Sequence, residues 1–273
     1  MPAPDADLAL LESTVREAGA IARGFFGGSY RRWSKAQGSP VTDADLAVDK
    51  FLKEHLRAAR PDYGWLSEET DDDPARLNAG TIFVVDPIDG TVAFLKGRPH
   101  FTICAAVVQN GLPIAGVVLN PISGECFSAR AGHGAFLNGA AIHVSASETL
   151  EGCRMLADKA MFAHPAWNIS PNIPWPAMEI ETRNSVAYRL VLVACGAFDA
   201  MLALSAKRDW DLAAADLILR EAGGIVTSHD GAALRYNTPE AVQRSVIGAA
   251  PALHALLLAR VGHIRLPRQG GES

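Results

Sequence analysis

The segment Ile82-Phe83-Val84-Val85-Asp86-Pro87-Ile88-Asp89-Gly90-Thr91 constrains this chain more than any other stretch. Its first four residues are β-branched or aromatic and predict a buried strand that ends in a carboxylate. Pro87 has no N–H to give to a strand ladder, so the chain is expected to turn there. Gly90 permits a backbone geometry that other residues resist. Two carboxylates thus stand at the mouth of a strand, followed by the backbone N–H groups of Gly90 and Thr91. Carboxylates suit a hard cation such as Mg²⁺, and outward N–H groups suit a phosphate. Asp-Pro and Asp-Gly steps are also ordinary turn formers, so the reading depends on what else the chain supplies.

A length of 273 residues accommodates one large or two medium domains with ample core. The balance of 49% hydrophobic and 20% charged residues is that of an ordinary soluble globular protein. A net charge of −5 argues against a nucleic-acid partner, which selects a basic face. No run approaches the length of apolar sequence that a membrane helix needs. The acidic start, Met1-Pro2-Ala3-Pro4-Asp5-Ala6-Asp7, lacks the basic and apolar regions of a signal peptide. Cys104, Cys126, Cys153 and Cys195 are scattered without a C-x-x-C pair and are expected as reduced thiols, buried at Cys104 and Cys195. These features predict a cytoplasmic enzyme.

Apolar residues at helical spacing (Leu8, Leu11, Val15, Ala18, Ile21, Phe25) predict an amphipathic first helix that Gly27-Gly28 ends. After a polar stretch at 31–39, Thr42 is expected to open a second helix, with Leu46, Leu52 and Leu56 on its inner face and Pro61 closing it. Residues 64–69 read as a short strand running into an acidic corner, and 71–74 as a solvated loop. Strands follow at 101–108 and 113–119 around Asn110-Gly111, then at 125–129, 134–137 and 142–144, with Asn138-Gly139 as another tight turn. Residues 1–150 are therefore expected as an α+β part with an antiparallel sheet. Residues 151–266 alternate between types: strand at 155–156, an irregular stretch at 164–176, helix at 188–195, strand at 198–204, helix at 211–222, strands at 225–227 and 245–248, and helix at 253–261. That alternation predicts an α/β part. The polar, Gly-rich tail 267–273 is expected to be disordered.

Trp210-Asp211-Leu212-Ala213-Ala214 puts Asp211 at the start of a helix, as an N-cap or as a ligand. Trp210 is a core anchor or a pocket wall. Glu68, the Asp86/Asp89 turn and Asp211 are three acidic segments able to converge on cations. Oxygen-only ligation selects Mg²⁺, Mn²⁺ or Ca²⁺, and no His/Cys set with zinc spacing competes. His100, His133, His143 and His164 read as surface or satisfied loop residues.

These motifs resemble those of the inositol monophosphatase superfamily, the Mg²⁺-dependent, lithium-sensitive phosphomonoesterases. The signature D-P-[ILV]-D-G-T stands as Asp86-Pro87-Ile88-Asp89-Gly90-Thr91. W-D-x-A-A followed by E-A-G-G stands as Trp210 to Ala214 and Glu221-Ala222-Gly223-Gly224, and the E-E corner as Glu68-Glu69. The match extends from Lys35 to about Gly248. The resemblance implies a layered αβαβα sandwich of the sugar-phosphatase type. It also implies that Glu68, Asp86 and the Ile88 carbonyl hold one metal, and Asp86, Asp89 and Asp211 a second. By the same resemblance Thr91 and Glu68 orient the attacking water, and the N–H groups of Gly90 and Thr91 grip the phosphate. Asp45 matches an acid that supports a third, weaker Mg²⁺ through water, though Thr42-x-x-Asp45 is equally a capping box.

Residues after Thr91 depart from the inositol type. Val92-Ala93-Phe94-Leu95-Lys96 followed by Phe101-Thr102 is closer to the CysQ-like 3′(2′),5′-bisphosphate nucleotidases. Leu204 stands where inositol-specific members often carry Glu. Lys207 meets a second phosphate or is a solvated loop cation. Ser185, in the Asn184-Ser185 step, is a substrate contact or a helix cap. The implied partner is a small phosphorylated metabolite, on a chain that forms a homodimer; inositol 1-phosphate and histidinol phosphate follow the bisphosphonucleotide as substrates. A regulatory protein on the same scaffold is the reading from another class.

Overall fold

The computed structural model describes residues 4–34, 40–163 and 174–266; the tail 267–273 and most of the irregular stretch at 164–176, with His164, lie outside them. The helices among the described residues are α1 (Pro4–Phe25), α2 (Asp43–Ala59), α3 (Thr91–Leu95), α4 (Lys159–Ala163), α5 (Val186–Ala194), α6 (Asp209–Glu221) and α7 (Pro251–Val261). A seven-stranded sheet runs in chain order through Gly64–Ser67, Thr81–Asp89, Thr102–Gln109, Leu112–Leu119, Cys126–Arg130, Ala135–Leu137 and Ala140–Ile142. Its first pair is parallel and its other pairs are antiparallel. A five-stranded sheet has the order Glu179–Glu181, Arg154–Leu156, Ala200–Ala203, Val246–Ala249, Ile225–Thr227.

Three cores stack these elements into five layers. Leu11, Val15, Leu52 and Leu56 from α1 and α2 pack on Phe83, Ile103 and Val107 of the large sheet. On the other face of that sheet, Leu190, Val191, Leu212 and Ile218 of α5 and α6 meet Val84, Ala106 and Val118. The small sheet follows, and Leu253, Leu257 and Val261 of α7 cover it through Leu202, Ile247 and Ala249. The order is helix pair, sheet, helix pair, sheet, helix: an αβαβα sandwich. No helix among the described residues is long and apolar enough to cross a membrane.

The hairpin turns form as the sequence predicts, with φ of 50° at Asn110, 79° at Gly111, 48° at Asn138 and 84° at Gly139. Four expectations change. Leu46 is 42% exposed, because the inner face of α2 is set by Ala44, Val48, Leu52 and Leu56, which recur every four residues. The polar stretch contains a strand, Arg32–Ser34, paired antiparallel with Pro40–Thr42, while 35–39 lies outside the described residues. Cys195, expected buried, is only half-buried at the C-cap of α5; the other three thiols are buried. The chain also does not turn at Pro87. The strand continues to Asp89, with Asp86 opposite Cys104 and Asp89 opposite Thr102, so three steps on one strand face two on its neighbour. That irregularity is a β-bulge, where a residue without an N–H is tolerated.

The second signature turns out to have a large structural share. Glu221 accepts from the N–H groups of Gly132 (2.7 Å) and Gly134 (2.8 Å), tying the end of α6 to a turn of the large sheet. Gly223 has φ 89°, and a Cβ on Gly224 would lie 2.6 Å from Leu219. Ala213, Ala214 and Ala215 are buried, and a Cβ on Gly116 would lie 3.0 Å from both the Cα and the carbonyl oxygen of Ala214. Backbone lies on backbone there, so α6 rests directly on the strand Leu112–Leu119. Gly116→Ala is expected to lower the unfolding free energy by about 1–3 kcal/mol in urea melts, because neither backbone can retreat; an unchanged midpoint would show that the helix has slack.

Candidate active site

Every residue of the strand Thr81–Asp89 is buried, so its two acids are delivered from inside the fold rather than from a surface loop. Within the bulge the Ile88 N–H donates to Asp86 Oδ1 at 3.0 Å. Gly90 follows in the left-handed region with φ 98°, as the N-cap of α3. A Cβ there would sit 3.1 Å from the Ser185 nitrogen and 3.2 Å from the His100 carbonyl oxygen. Both conformation and space therefore demand glycine.

The third acid comes from α6. The helix begins two residues earlier than expected, with Arg208 as its N-cap, so Asp211 is its third residue and not the cap. Asp211 Oδ2 accepts from the Arg208 N–H at 2.9 Å, which leaves it capping the helix and facing the strand at once. One carboxylate oxygen each from Asp86, Asp89 and Asp211 lie within 4.8 Å of one another. Glu68 joins them where the strand Gly64–Ser67 ends, its N–H held by the Val85 carbonyl at 3.4 Å. Glu68, Asp86, Ile88, Asp89, Gly90, Thr91 and Asp211 share one pocket of about 210 Å³. Asn184 also lines it, a position named in sequence only as the neighbour of Ser185.

Other expected residues stand around this pocket rather than in it. Asp45 forms the capping box: its Oδ2 accepts from the Thr42 N–H at 2.8 Å and from the Thr42 hydroxyl at 2.5 Å. Its other oxygen lies 3.2 Å from Thr91 Oγ1, which is also 3.2 Å from the Ile88 carbonyl. The cap and the link to the site are therefore the same carboxylate. Ser185 is fully buried. It caps α5 by accepting from the Tyr188 N–H at 2.9 Å, and it donates to Asp89 Oδ2 at 2.7 Å, the oxygen that also accepts from the Ala187 N–H at 2.7 Å. It holds Asp89 from behind. Lys207 lines a neighbouring cavity instead. Trp210 packs against the middle core, with the Arg208 guanidinium 5.6 Å above its ring.

Sequence reasoning missed Asp49. It lies one turn after Asp45 on α2, buried, accepting from the Ser67 hydroxyl and, at 2.8 Å, from the Thr70 hydroxyl. Ser67 and Thr70 bracket Glu68-Glu69, so α2 steadies the acidic corner with one acid and Thr91 with another. The four-residue spacing of Asp45 and Asp49 was the available signal. Asp49→Ala is expected to cost about 2 kcal/mol in urea melts, since the buried Ser67 hydroxyl and the half-buried Thr70 hydroxyl lose their acceptor; a loss within experimental error would mean that water replaces it.

Charge is the dominant physical fact of the pocket. Burial, then the nearby charges of Glu68, Asp89 and Asp211, raise the Asp86 carboxyl well above the ordinary carboxylate range. Burial likewise raises Asp89 against its bonds to Ser185 and the α5 N–H groups. Asp211 is raised by burial and by Asp89. Asp45 is pushed up to about 6 by burial, with Glu68 adding to the effect. Such a cluster fits a divalent cation: the donors are all hard oxygens, they converge from separate elements, and without positive charge they oppose one another.

An acid with a raised folded pKa keeps its proton in the folded chain after the unfolded chain has released it. The unfolded state then binds fewer protons, and stability falls as pH rises from about 4 through the raised values. The melting temperature of metal-free protein is therefore expected to fall between about pH 5 and pH 8. Mg²⁺ should raise it more at the upper pH, where the acids are free to bind. A metal-free melting temperature that climbs over this range would contradict the mutual repulsion.

The model of the inositol monophosphatase family matches residues 5–265. The chain belongs to the inositol monophosphatase family. Among curated relatives it is 35% identical over 196 residues to the Nus factor SuhB of Xylella fastidiosa, covering 70% of each chain. It is 34% identical over 198 residues to the inositol-1-monophosphatase of Rhizobium meliloti, covering 70% of this chain and 73% of the relative. It is 30% identical over 233 residues to the 3′(2′),5′-bisphosphate nucleotidase CysQ of Aggregatibacter actinomycetemcomitans, covering 83% and 86%. The crystal structure of extragenic suppressor protein suhB from Bartonella henselae superposes with a TM-score of 0.82 at 28% identity, over 94% of this chain and 99% of that one. The family is one of phosphatases, generally Mg²⁺-dependent, and the acidic cluster is where this chain offers to bind metal.

Proposed function

We propose that this chain is a Mg²⁺-dependent phosphomonoesterase of the 3′(2′),5′-bisphosphate nucleotidase type, releasing the 3′-phosphate of adenosine 3′,5′-bisphosphate. The observation that carries the chemistry is the convergence of Asp86, Asp89 and Asp211 beside Glu68, Gly90 and Thr91 in one pocket. Asp86, Glu68 and the Ile88 carbonyl would hold one Mg²⁺, and Asp86, Asp89 and Asp211 a second; Asp45, bonded to Thr91, would serve a third through water. When bound, the ions supply positive charge to the phosphate and Lewis acidity toward water and the leaving oxygen.

The chain's own groups do the rest. Glu68 and the Thr91 hydroxyl, the latter held between Asp45 and the Ile88 carbonyl, orient the attacking water. The N–H groups of Gly90 and Thr91 cradle the phosphate oxygens. Ser185 and the Ala187 N–H fix Asp89 in place, so the ligand set is oriented before substrate arrives. Direct attack by water needs no covalent intermediate on the protein.

The substrate reading rests on the residues that follow Thr91, Val92 to Lys96 with Phe101-Thr102, and on the buried Leu204 where an inositol site favours an acid. The inositol-1-monophosphatase relative favours inositol 1-phosphate as the second reading. A panel of adenosine 3′,5′-bisphosphate, inositol 1-phosphate and histidinol phosphate decides among them: Mg²⁺-dependent phosphate release should be fastest with the first. Asp89→Asn should abolish release from every member while circular dichroism and the melting transition remain those of a folded protein. Retained activity in that variant would overturn the metal assignment, and no release by the wild type from any phosphomonoester would favour a regulatory role, of which the Nus factor relative is the reminder.

A further inference from the structure

The β-bulge at Pro87 decides which way the two acids of the strand Thr81–Asp89 face. Residues three apart on a regular strand point to opposite sides of the sheet. Across the bulge, Asp86 stands opposite Cys104 and Asp89 opposite Thr102. Directly paired residues share a face, and Cys104 and Thr102, two apart, share theirs. The bulge thus turns both acids to the side on which α5 and α6 pack, where Cys104 joins the middle core. It also sets the Thr102 side chain next to the groups that hold Asp89.

Thr102 is fully buried, and it is not among the residues that line the acidic pocket. Its Oγ1 lies 3.0 Å from Ser185 Oγ and 3.4 Å from Cys104 Sγ. Heavy-atom positions leave the donor open in both pairs, but counting protons settles it. Ser185 Oγ has one proton and two lone pairs. An ionised Asp89 has no proton to offer, so the Ser185 proton goes to Asp89 Oδ2 at 2.7 Å. One lone pair accepts the Tyr188 N–H at 2.9 Å. The other is all that remains for Thr102, so Thr102 is the donor. With its own proton on Ser185, Thr102 Oγ1 accepts from the Cys104 thiol. The result is a one-way chain from Cys104 S–H through Thr102 O–H and Ser185 O–H to Asp89.

At the end of that chain, Asp89 Oδ2 receives both the Ser185 hydroxyl and the Ala187 N–H, each at 2.7 Å. The Val186 N–H adds to the hold on this carboxylate. Both lone pairs of Oδ2 are occupied, and Oδ1 is the oxygen left to serve a cation.

We infer that Thr102 is a positioning residue for the metal position shared by Asp86, Asp89 and Asp211. By donating to Ser185 it fixes the direction of the hydroxyl that holds Asp89 Oδ2, and so presents Asp89 to the cation through Oδ1. The inference rests on the metal-dependent reading above and deepens it, giving a part in that site to a residue that touches neither ion nor substrate. A small ion with strict octahedral geometry gains from a ligand oxygen fixed before it arrives. Packing alone would ask only for a side chain of this size at position 102; the direction of the chain requires the hydroxyl.

The test removes the hydroxyl at nearly constant shape. When Mg²⁺ is titrated into metal-free protein by calorimetry, T102V should bind one ion roughly 3- to 10-fold more weakly than the wild type, the worth of one buried neutral hydrogen bond. Binding at the position held by Glu68 and the Ile88 carbonyl should not change. T102S, which keeps the donor, should restore the affinity. The Mg²⁺ concentration for half-maximal phosphate release should rise in T102V by a similar factor. Melting separates this from a packing defect: T102V should gain less from Mg²⁺ than the wild type, whereas a merely structural role lowers loaded and metal-free protein alike. If T102V does not fold, T102A takes its place with the same expectations. Wild-type Mg²⁺ affinity in the variant without the hydroxyl overturns the inference, as does T102S binding as weakly as T102V. If the wild type binds Mg²⁺ but releases phosphate from no phosphomonoester, the enzymatic reading fails and the calorimetric comparison still decides Thr102. A wild type without Mg²⁺ affinity overturns both.

Discussion

Four carboxylates that repel one another are held together in this protein by a fold that gives them no way to separate. Asp86 and Asp89 lie on a strand buried at every position, Glu68 ends its parallel neighbour, and Asp211 is fixed in the first turn of a helix. Folding such a cluster works against both desolvation and Coulomb repulsion. The opposing stabilisation comes from the two apolar cores above and below the large sheet and the third beyond the small one. A divalent cation reverses the sign of the local interaction, so folding has prepared the site for positive charge.

Close backbone approaches set how tightly the cluster is drawn. Gly116 lets α6 lie on the large sheet, and this contact sets the distance from Asp211 to the strand that carries Asp86 and Asp89. Gly90 allows the chain to pass under Ser185, whose hydroxyl then meets Asp89. On the opposite side, α2 contributes two buried acids one turn apart, one on Thr91 and one on Ser67 and Thr70. The site is thus braced by helices on both faces of the sheet, and the elements that bear the chemistry are also those that close the cores.

Residues with a local physical signature were legible in the sequence, and those whose meaning depends on distant partners were not. The strand and the glycine turns could be read from residue type and spacing, which marked Glu68, Asp86, Asp89 and Asp211 as acids able to converge; their ligand roles came only with the family resemblance. The missing N–H of Pro87 forbids a regular ladder but not a bulge, and only the register against Thr102 and Cys104 distinguishes the two. A leucine counts toward any apolar face, so Leu46 reads as inward, while the true period is set by Val48, Leu52 and Leu56. Asp211 posed cap against ligand as alternatives; the helix begins at Asp209, so its carboxylate reaches the Arg208 N–H and the acidic cluster together. Asp49 carries no motif, and the hydroxyls it accepts from, on Ser67 and Thr70, lie far along the chain.

Asp45 and Glu221 show why a signature residue cannot be assigned to chemistry or to structure by its presence alone. Asp45 closes a capping box with one oxygen and faces Thr91 with the other, so removing it would loosen a helix end and a site hydroxyl together. Glu221 stands in the same signature as Asp211, yet both its oxygens are committed to the turn at Gly132 and Gly134. The distinction follows from where each carboxylate's lone pairs point. Those of Glu221 are committed to backbone N–H groups, whereas Asp86, Asp89 and Asp211 converge oxygens on a common space. A carboxylate oxygen that another N–H already holds is a brace. One left facing other carboxylates implies a cation, and that implication stands whichever alcohol leaves with the phosphate.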